Sequence, residues 1–273
     1  MRVGGCLGLA AVLVLAACGP DSNTKVADLY QAKTFVTGAD ERFRHVAFAA
    51  GIGDVLAKVS GDAGLIGDAR VAALGAKADA LVASYTYHDR MEGLPVGDEQ
   101  GTRDRPFDLI IHYRPDQIDA SLKALGRAPW TALRPRLTVF LGVSNHGVDY
   151  LLASDGTRGV DQRDALAGAA WQAGMPMQLP NAAVIAAVPL TTGRLLSGDA
   201  IDLNAAARAA GGDLALIGTI VWHDGYLGWR TDWRLKVNGK EHHWMIRDVN
   251  YDDAFRNGLR GAAQILSGHG EPN

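Results

Sequence analysis

Residues 214–246 read LALIGTIVWHDGYLGWRTDWRLKVNGKEHHWMI, and this stretch decides the fold class. Leu214 to His223 is apolar at both odd and even positions, as a strand buried on both faces requires. Asp224-Gly225 and Asn238-Gly239 are two-residue turn pairs suited to reversing a chain between antiparallel strands. Three strands in a meander follow. Two-residue loops set Leu216 opposite Trp233, Ile220 opposite Trp229, Trp233 opposite Trp244 and Leu235 opposite His242. Because side chains alternate across a strand, one face then carries Leu216, Ile220, Trp222, Trp229, Trp233, Trp244 and Ile246. The other carries Thr219, Arg230, Asp232, Arg234, His243 and Arg247. A helix from about Tyr251 to Leu266 closes the chain and is expected to cover the tryptophan face.

Upstream of the meander, Leu137 to Val143 is an apolar strand run, and Ser144-Asn145-His146-Gly147 turns it into Val148 to Ala153. A helix is expected over Asp161 to Ala173, with Leu166, Ala169 and Ala170 inward. Met175 to Pro180 reads as a short strand, and Asn181 to Ser197 is ambiguous. Asp202 is placed to cap a helix that Gly211-Gly212 stops.

Tyr30, Ala32, Thr34 and Val36 alternate as in a strand. Asp40 to Ser60 is a helix with Phe48, Ile52, Val55, Leu56 and Val59 on one face, interrupted by Gly51 and Gly53. A second helix spans Asp68 to Val82, and strands are expected at Tyr85 to His88 and Phe107 to Tyr113. The charged loop Arg90 to Arg105 separates them. Pro115 starts a short helix that Gly126 ends. The fold class is α/β (α+β) in two small units. The N-terminal unit is β-α-α-β-β-α over 29–126. A linker at 127–136 leads to a C-terminal unit over 137–267, a mixed sheet ending in a three-stranded antiparallel meander plus terminal helix. Residues 268–273 form a tail.

The first residues give an address. Met1-Arg2 precedes an apolar run from Val3 to Ala17, too short to span a bilayer, which takes roughly 20 residues, but suited to a secretory signal. Leu15-Ala16-Ala17-Cys18 resembles the lipobox of bacterial lipoproteins, in which the peptide is cut before the cysteine and that residue is acylated. The expectation is a signal peptide over 1–17, lipidation at Cys18 and a tether over 18–28. The resemblance implies a chain held on the periplasmic face of the outer membrane, with Gly19 after the cysteine favouring that sorting.

Cys6 and Cys18 are the chain's two cysteines. On this reading no free thiol remains, which removes thiol catalysis, cysteine–zinc sites and disulfide scaffolds. A charge of −3, from 27 basic and 30 acidic residues, with 48% apolar content, also excludes a strongly basic nucleic-acid binder and a disordered tail protein.

No motif carries chemistry. The eight histidines lack metal-ligand spacing, and His242-His243 in a strand points to opposite faces. Gly142-x-Ser144-x-x-Gly147 leads into a strand, where a nucleophile elbow needs a helix. His88-Asp89 and His223-Asp224 each follow an aromatic at a strand end, and a hydrolase would need Asp89, His88 and Asp224 around one cleft. No cofactor is expected. The remaining candidate is the arginine face, where Arg230, Arg234, Arg247 and His243 would grip an anionic envelope ligand such as a glycan, a lipid headgroup or an acidic protein.

Several segments together resemble an uncharacterised proteobacterial envelope family, the domain of unknown function numbered twenty sixty-six. They are Lys58-Val59-Ser60-Gly61-Asp62, Phe107 to Tyr113, Arg134-Pro135, Gly174-Met175-Pro176 and Gly212-Asp213-Leu214-Ala215-Leu216-Ile217-Gly218 with Gly228-Trp229-Arg230. The resemblance implies fold and envelope location and transfers no functional residue. The second unit also resembles small α/β domains of envelope accessory proteins, such as the amino-terminal domain of the Tol-system β-propeller protein and outer-membrane lipoproteins that activate peptidoglycan synthases. Such domains dock on partners. The expected role is a non-enzymatic accessory or scaffold for an envelope protein partner, with no nucleic acid bound and the membrane met only through the lipid.

Overall fold

The computed structural model describes residues 29–94, 97–98, 101–102, 105–197 and 202–272. The expected signal peptide, Cys18 and the tether lie outside them. The first unit runs β1 (Gln31–Thr37), α1 (Glu41–Ser60), α2 (Ala69–Leu74), α3 (Ala78–Leu81) and β2 (Val82–Asp89). Two short strands follow, β3 (Gly97–Asp98) and β4 (Gly101–Thr102), then β5 (Pro106–Tyr113) and α4 (Pro115–Ala124). Its sheet is antiparallel in the order β1-β5-β2, with Leu109 and Ile111 of the central strand fully buried against Ile52, Val55 and Leu56 of α1.

Two expectations change here. Gly51 does not interrupt α1: a side chain there would meet the Tyr113 hydroxyl at 2.6 Å and Ala32 at 3.0 Å. The glycine is what lets the helix lie against β1, and the Tyr113 hydroxyl donates to the Phe48 carbonyl beside it. The single helix expected over 68–82 is instead α2, a 3-10 turn at Gly75–Lys77 and α3. It breaks where Gly75 closes on Ala49.

The second unit runs β6 (Leu137–Asn145), β7 (Val148–Leu151), α5 (Val160–Ala173), β8 (Met177–Gln178), α6 (Ala182–Ala186), α7 (Thr192–Leu196) and α8 (Asn204–Ala209). It ends with β9 (Leu214–His223), β10 (Gly228–Val237), β11 (Lys240–Val249) and α9 (Tyr251–Leu266). The ambiguous segment is therefore two short helices, each started by a side-chain cap, Asn181 on Val184 N–H and Thr191 on Arg194 N–H. The sheet order is β11-β10-β9-β6-β7, with β9 parallel to β6 and the meander antiparallel. The mixed α/β class and the meander with its terminal helix are as expected.

The meander's second hairpin has the expected register, with Trp233 opposite Trp244 and Leu235 opposite His242. The first is shifted by two residues: Trp233 faces Gly218 and Leu235 faces Leu216 across a four-residue loop, 224–227. The indole explains the shift. A side chain on Gly218 would lie 2.4 Å from the Trp233 ring, and one on Gly258 of α9 equally close on the other side. Trp233 is fully buried in that slot, its Nε1–H donating to Thr231 Oγ1. A slip of two leaves every side chain on its own face. Trp229, Trp233 and Trp244 are accordingly buried under α9.

Candidate functional site

The opposite face of the same sheet is only partly covered. Helices α7 and α8 pack Leu195, Leu203 and Ala207 over Phe140, Ala215 and Ile217. They meet β10 through Asn204 Nδ2, which donates to the Lys236 carbonyl, and leave Glu241, His243 and Met245 of β11 exposed. The result is a trough of about 420 Å³, walled by Leu195, Leu196 and Ser197 and floored by Thr219, Arg230, Asp232, Arg234, Glu241 and His243.

Alternation along β10 puts Arg230, Asp232 and Arg234 on this face, and cross-strand pairing sets His243 opposite Arg234. Arg230 engages Asp232 with two nitrogens, Nε to Oδ2 at 3.2 Å and Nη2 to Oδ1 at 3.3 Å. His243 Nε2 lies 3.4 Å from Asp232 Oδ1. Arg234 Nη2 donates to the Leu195 carbonyl at 3.2 Å, tying the floor to the α7 wall. At the adjoining end Lys236 pairs with Asp202 at 3.0 Å. The Asn204 N–H and Lys236 together hold the Asp202 carboxyl below the usual range.

The structure thus gathers three of the four expected residues, Arg230, Arg234 and His243. Arg247 is not on the trough floor; it stands at a β11 bulge, 70% exposed, with Asp248 Oδ2 4.0 Å from its Nε. The trough is of mixed charge, because Asp232 and Glu241 share it, and an incoming anion would compete with Asp232 for Arg230. Sequence alternation found the floor. The same alternation extends to Glu241, two residues before His243 on β11; the α7 wall escaped it, since a wall built by a segment without periodicity leaves no pattern to read.

The groups named for a hydrolase do not meet. Asp89 lies in the first sheet, where it pairs with Arg105 at 2.8 Å and accepts from Met91 N–H. His88 is beside it on β2, opposite Asp108. Asp224 is in the loop between β9 and β10 of the other sheet, accepting from Trp222 Nε1 at 2.8 Å with His146 Nδ1 3.4 Å away. Both aspartates serve local turns. Among the described residues no group of three or more His, Cys, Asp or Glu is placed to hold a metal ion, and no helix is long and apolar enough to cross a membrane.

Residues 24–131 match the family model described as "Domain of unknown function (DUF8605)". No curated protein and no solved structure matches the chain. The match corrects the resemblance to the domain numbered twenty sixty-six. Most of the residues that suggested it are structural punctuation, such as the helix end at Ser60-Gly61 and the buried strand leading to Gly218, which many α/β sheets require.

Proposed function

We propose that the protein is a non-enzymatic accessory of an envelope complex, anchored through Cys18 on the periplasmic face of the outer membrane, and that it docks a protein partner in the trough of its second unit. The observation that carries this reading is the open trough itself. Arg230, Asp232, Arg234, Glu241 and His243 converge there beside an apolar wall. Paired charges of both signs select a partner and fix its orientation more than they add affinity. A protein segment with its own mixed charges fits such a floor better than a simple anion does.

The test is in-cell crosslinking from a photoreactive residue at Ser197, with the attached protein identified by mass spectrometry. Arg230→Glu combined with His243→Glu should reduce that crosslink at least about tenfold, the loss expected when charges at a contact are reversed. An undiminished crosslink, or turnover of glycan, phosphoester or peptide substrates by the delipidated protein, would overturn the proposal. Cys18→Ser should release the protein from the membrane fraction, which tests the anchor separately.

A second reading rests on Arg247, whose exposed guanidinium lies on the same sheet face as Arg230 and Arg234. Here the occupant is an anionic ligand that displaces Asp232. Charge reversal at Arg234 and Arg247 should then abolish ligand retention, and a ligand held equally well by that variant would dismiss this alternative.

A further inference from the structure

Strand β1 is an edge of the first sheet, pairing with β5 alone. Tyr113 N–H donates to the Tyr30 carbonyl and Gly38 N–H to the Arg105 carbonyl. Even-numbered residues of β1 therefore bond inward, and Lys33, Phe35 and Thr37 turn their N–H and C=O groups outward. Lys58 Nζ covers the Gln31 carbonyl at one end. From Lys33 to Thr37 no strand among the described residues pairs with this outer edge. Beside it runs an apolar groove of about 270 Å³, lined by Phe35, Val36, Phe43, Val46, Ala47 and Ala50. Val46 is 67% and Phe35 52% exposed.

The other sheet edges carry the usual protections against pairing. Strand β2 has a register shift between Val82 and Ser84. Strand β11 has a bulge with Asp248 at φ +62° and exposed Lys240, Glu241 and Arg247, and β7 is four residues long. Strand β1 has seven residues without a bulge, and its one charge, Lys33, is drawn to Asp108 at 2.9 Å.

We propose that this edge is the docking surface for a second copy of the chain. The two β1 strands pair antiparallel about Thr34, and the Phe43–Val46–Ala50 stripe of α1 packs against its equivalent. A two-fold axis requires a self-complementary patch, and β1 is one. About Thr34, Ala32 lies opposite the second copy's Val36, and Lys33 lies opposite its Phe35. No like charges oppose each other, and Lys33 keeps its Asp108 partner on the inner side. One operator covers both the open backbone edge and the exposed apolar stripe, and it joins two three-stranded sheets into one of six.

The pairing has a covalent test. Thr34 would face its own copy at a non-hydrogen-bonded position, where Cα atoms stand roughly 4.5 Å apart, inside the ~4.4–6.8 Å that a disulfide spans. The full chain carrying Thr34→Cys should become a covalent dimer under mild oxidation. Thr86→Cys on β2 should not, and the parent, with Cys6 and Cys18, sets the background. Light scattering in detergent should give the parent the mass of two chains at about 100 µM, where specific interfaces remain assembled. Val46→Glu combined with Phe35→Glu, both at exposed positions, should give the mass of one. A one-chain parent, a two-chain parent without the Thr34 disulfide, or a dimer that survives the double substitution overturns the proposal.

Discussion

At the scale of single residues, Trp233 ties the second unit together. Its ring is clamped between Gly218 of β9 and Gly258 of α9, and both contacts are closer than a side chain would allow. Gly258→Ala should therefore cost about 1–3 kcal/mol through overpacking, and Trp233→Ala about 3–5 kcal/mol through the cavity it leaves. Urea unfolding would show both as a lowered midpoint with an unchanged slope. Indifference to Gly258→Ala would mean that α9 can move off the sheet. The tryptophan face was legible because alternation assigns faces whatever the register. The register was not legible, because it depends on an indole finding a glycine across the strand, a steric fact absent from turn chemistry. The trough floor was legible in the same way as the tryptophan face: alternation put Arg230, Asp232, Arg234 and His243 on one face, and an aspartate among arginines implies the internal pairing seen between Asp232 and Arg230.

At the scale of elements, long periodic segments announced themselves and short capped ones did not. Helix α9 occupies the span expected from its pattern, Tyr251–Leu266. Helices α6 and α7 have five residues each, too few for a face to repeat, and are held by caps and burial. The end of the chain is held differently. Glu271 accepts from Lys240 Nζ at 2.5 Å and lies 2.9 Å from His242 Nδ1, fastening the tail to β11. These hydrogen bonds keep its carboxyl below the ordinary glutamate value. A carboxylate with a lowered folded pKa stabilises above its unfolded value, and that contribution disappears as pH falls through the folded one. The tail should thus detach on acidification below the ordinary glutamate range and stay attached at neutral pH. Protection of the His269 amide, which donates to Gln264 O, measured against its intrinsic exchange rate at each pH, should fall on acidification by more than in Glu271→Gln. Equal pH responses in the two proteins would discard the latch.

At the scale of the whole molecule, one buried side chain joins the two sheets' domains of influence. The segment 127–136 reads as a linker in sequence, yet Arg134 within it is 8% exposed. One of its terminal nitrogens donates to Lys58 O at 2.7 Å and Val59 O at 3.3 Å, the other to Gly174 O at 3.0 Å and Ala173 O at 3.3 Å. Those carbonyls are the ends of α1 and α5, where a helix presents its partial negative charge. Trp130 stacks on the guanidinium at 4.4 Å. Burial pulls the pKa of Arg134 down to about 10, so the group remains charged at neutral pH. Its partners are backbone atoms, which have no side-chain signature, and for that reason the seam could not be read in advance. Arg134→Met should cost about 3 kcal/mol by stranding buried acceptors. Lysine should not restore it, since an ammonium lacks the planar fork that reaches both helix ends. The sharper consequence concerns cooperativity. If Arg134 couples the units, parent unfolding should give coincident curves by tryptophan fluorescence and by far-ultraviolet circular dichroism. Fluorescence reports mainly the second unit, which holds Trp171, Trp222, Trp229, Trp233 and Trp244, the last three under α9. In Arg134→Met the two curves should separate, because each unit then melts at its own midpoint. Coincident curves in that variant would place the coupling elsewhere, for instance in the Arg260–Asp54 and Ser267–Gly61 bonds between the end of the chain and the first unit or in Lys58 over Trp171.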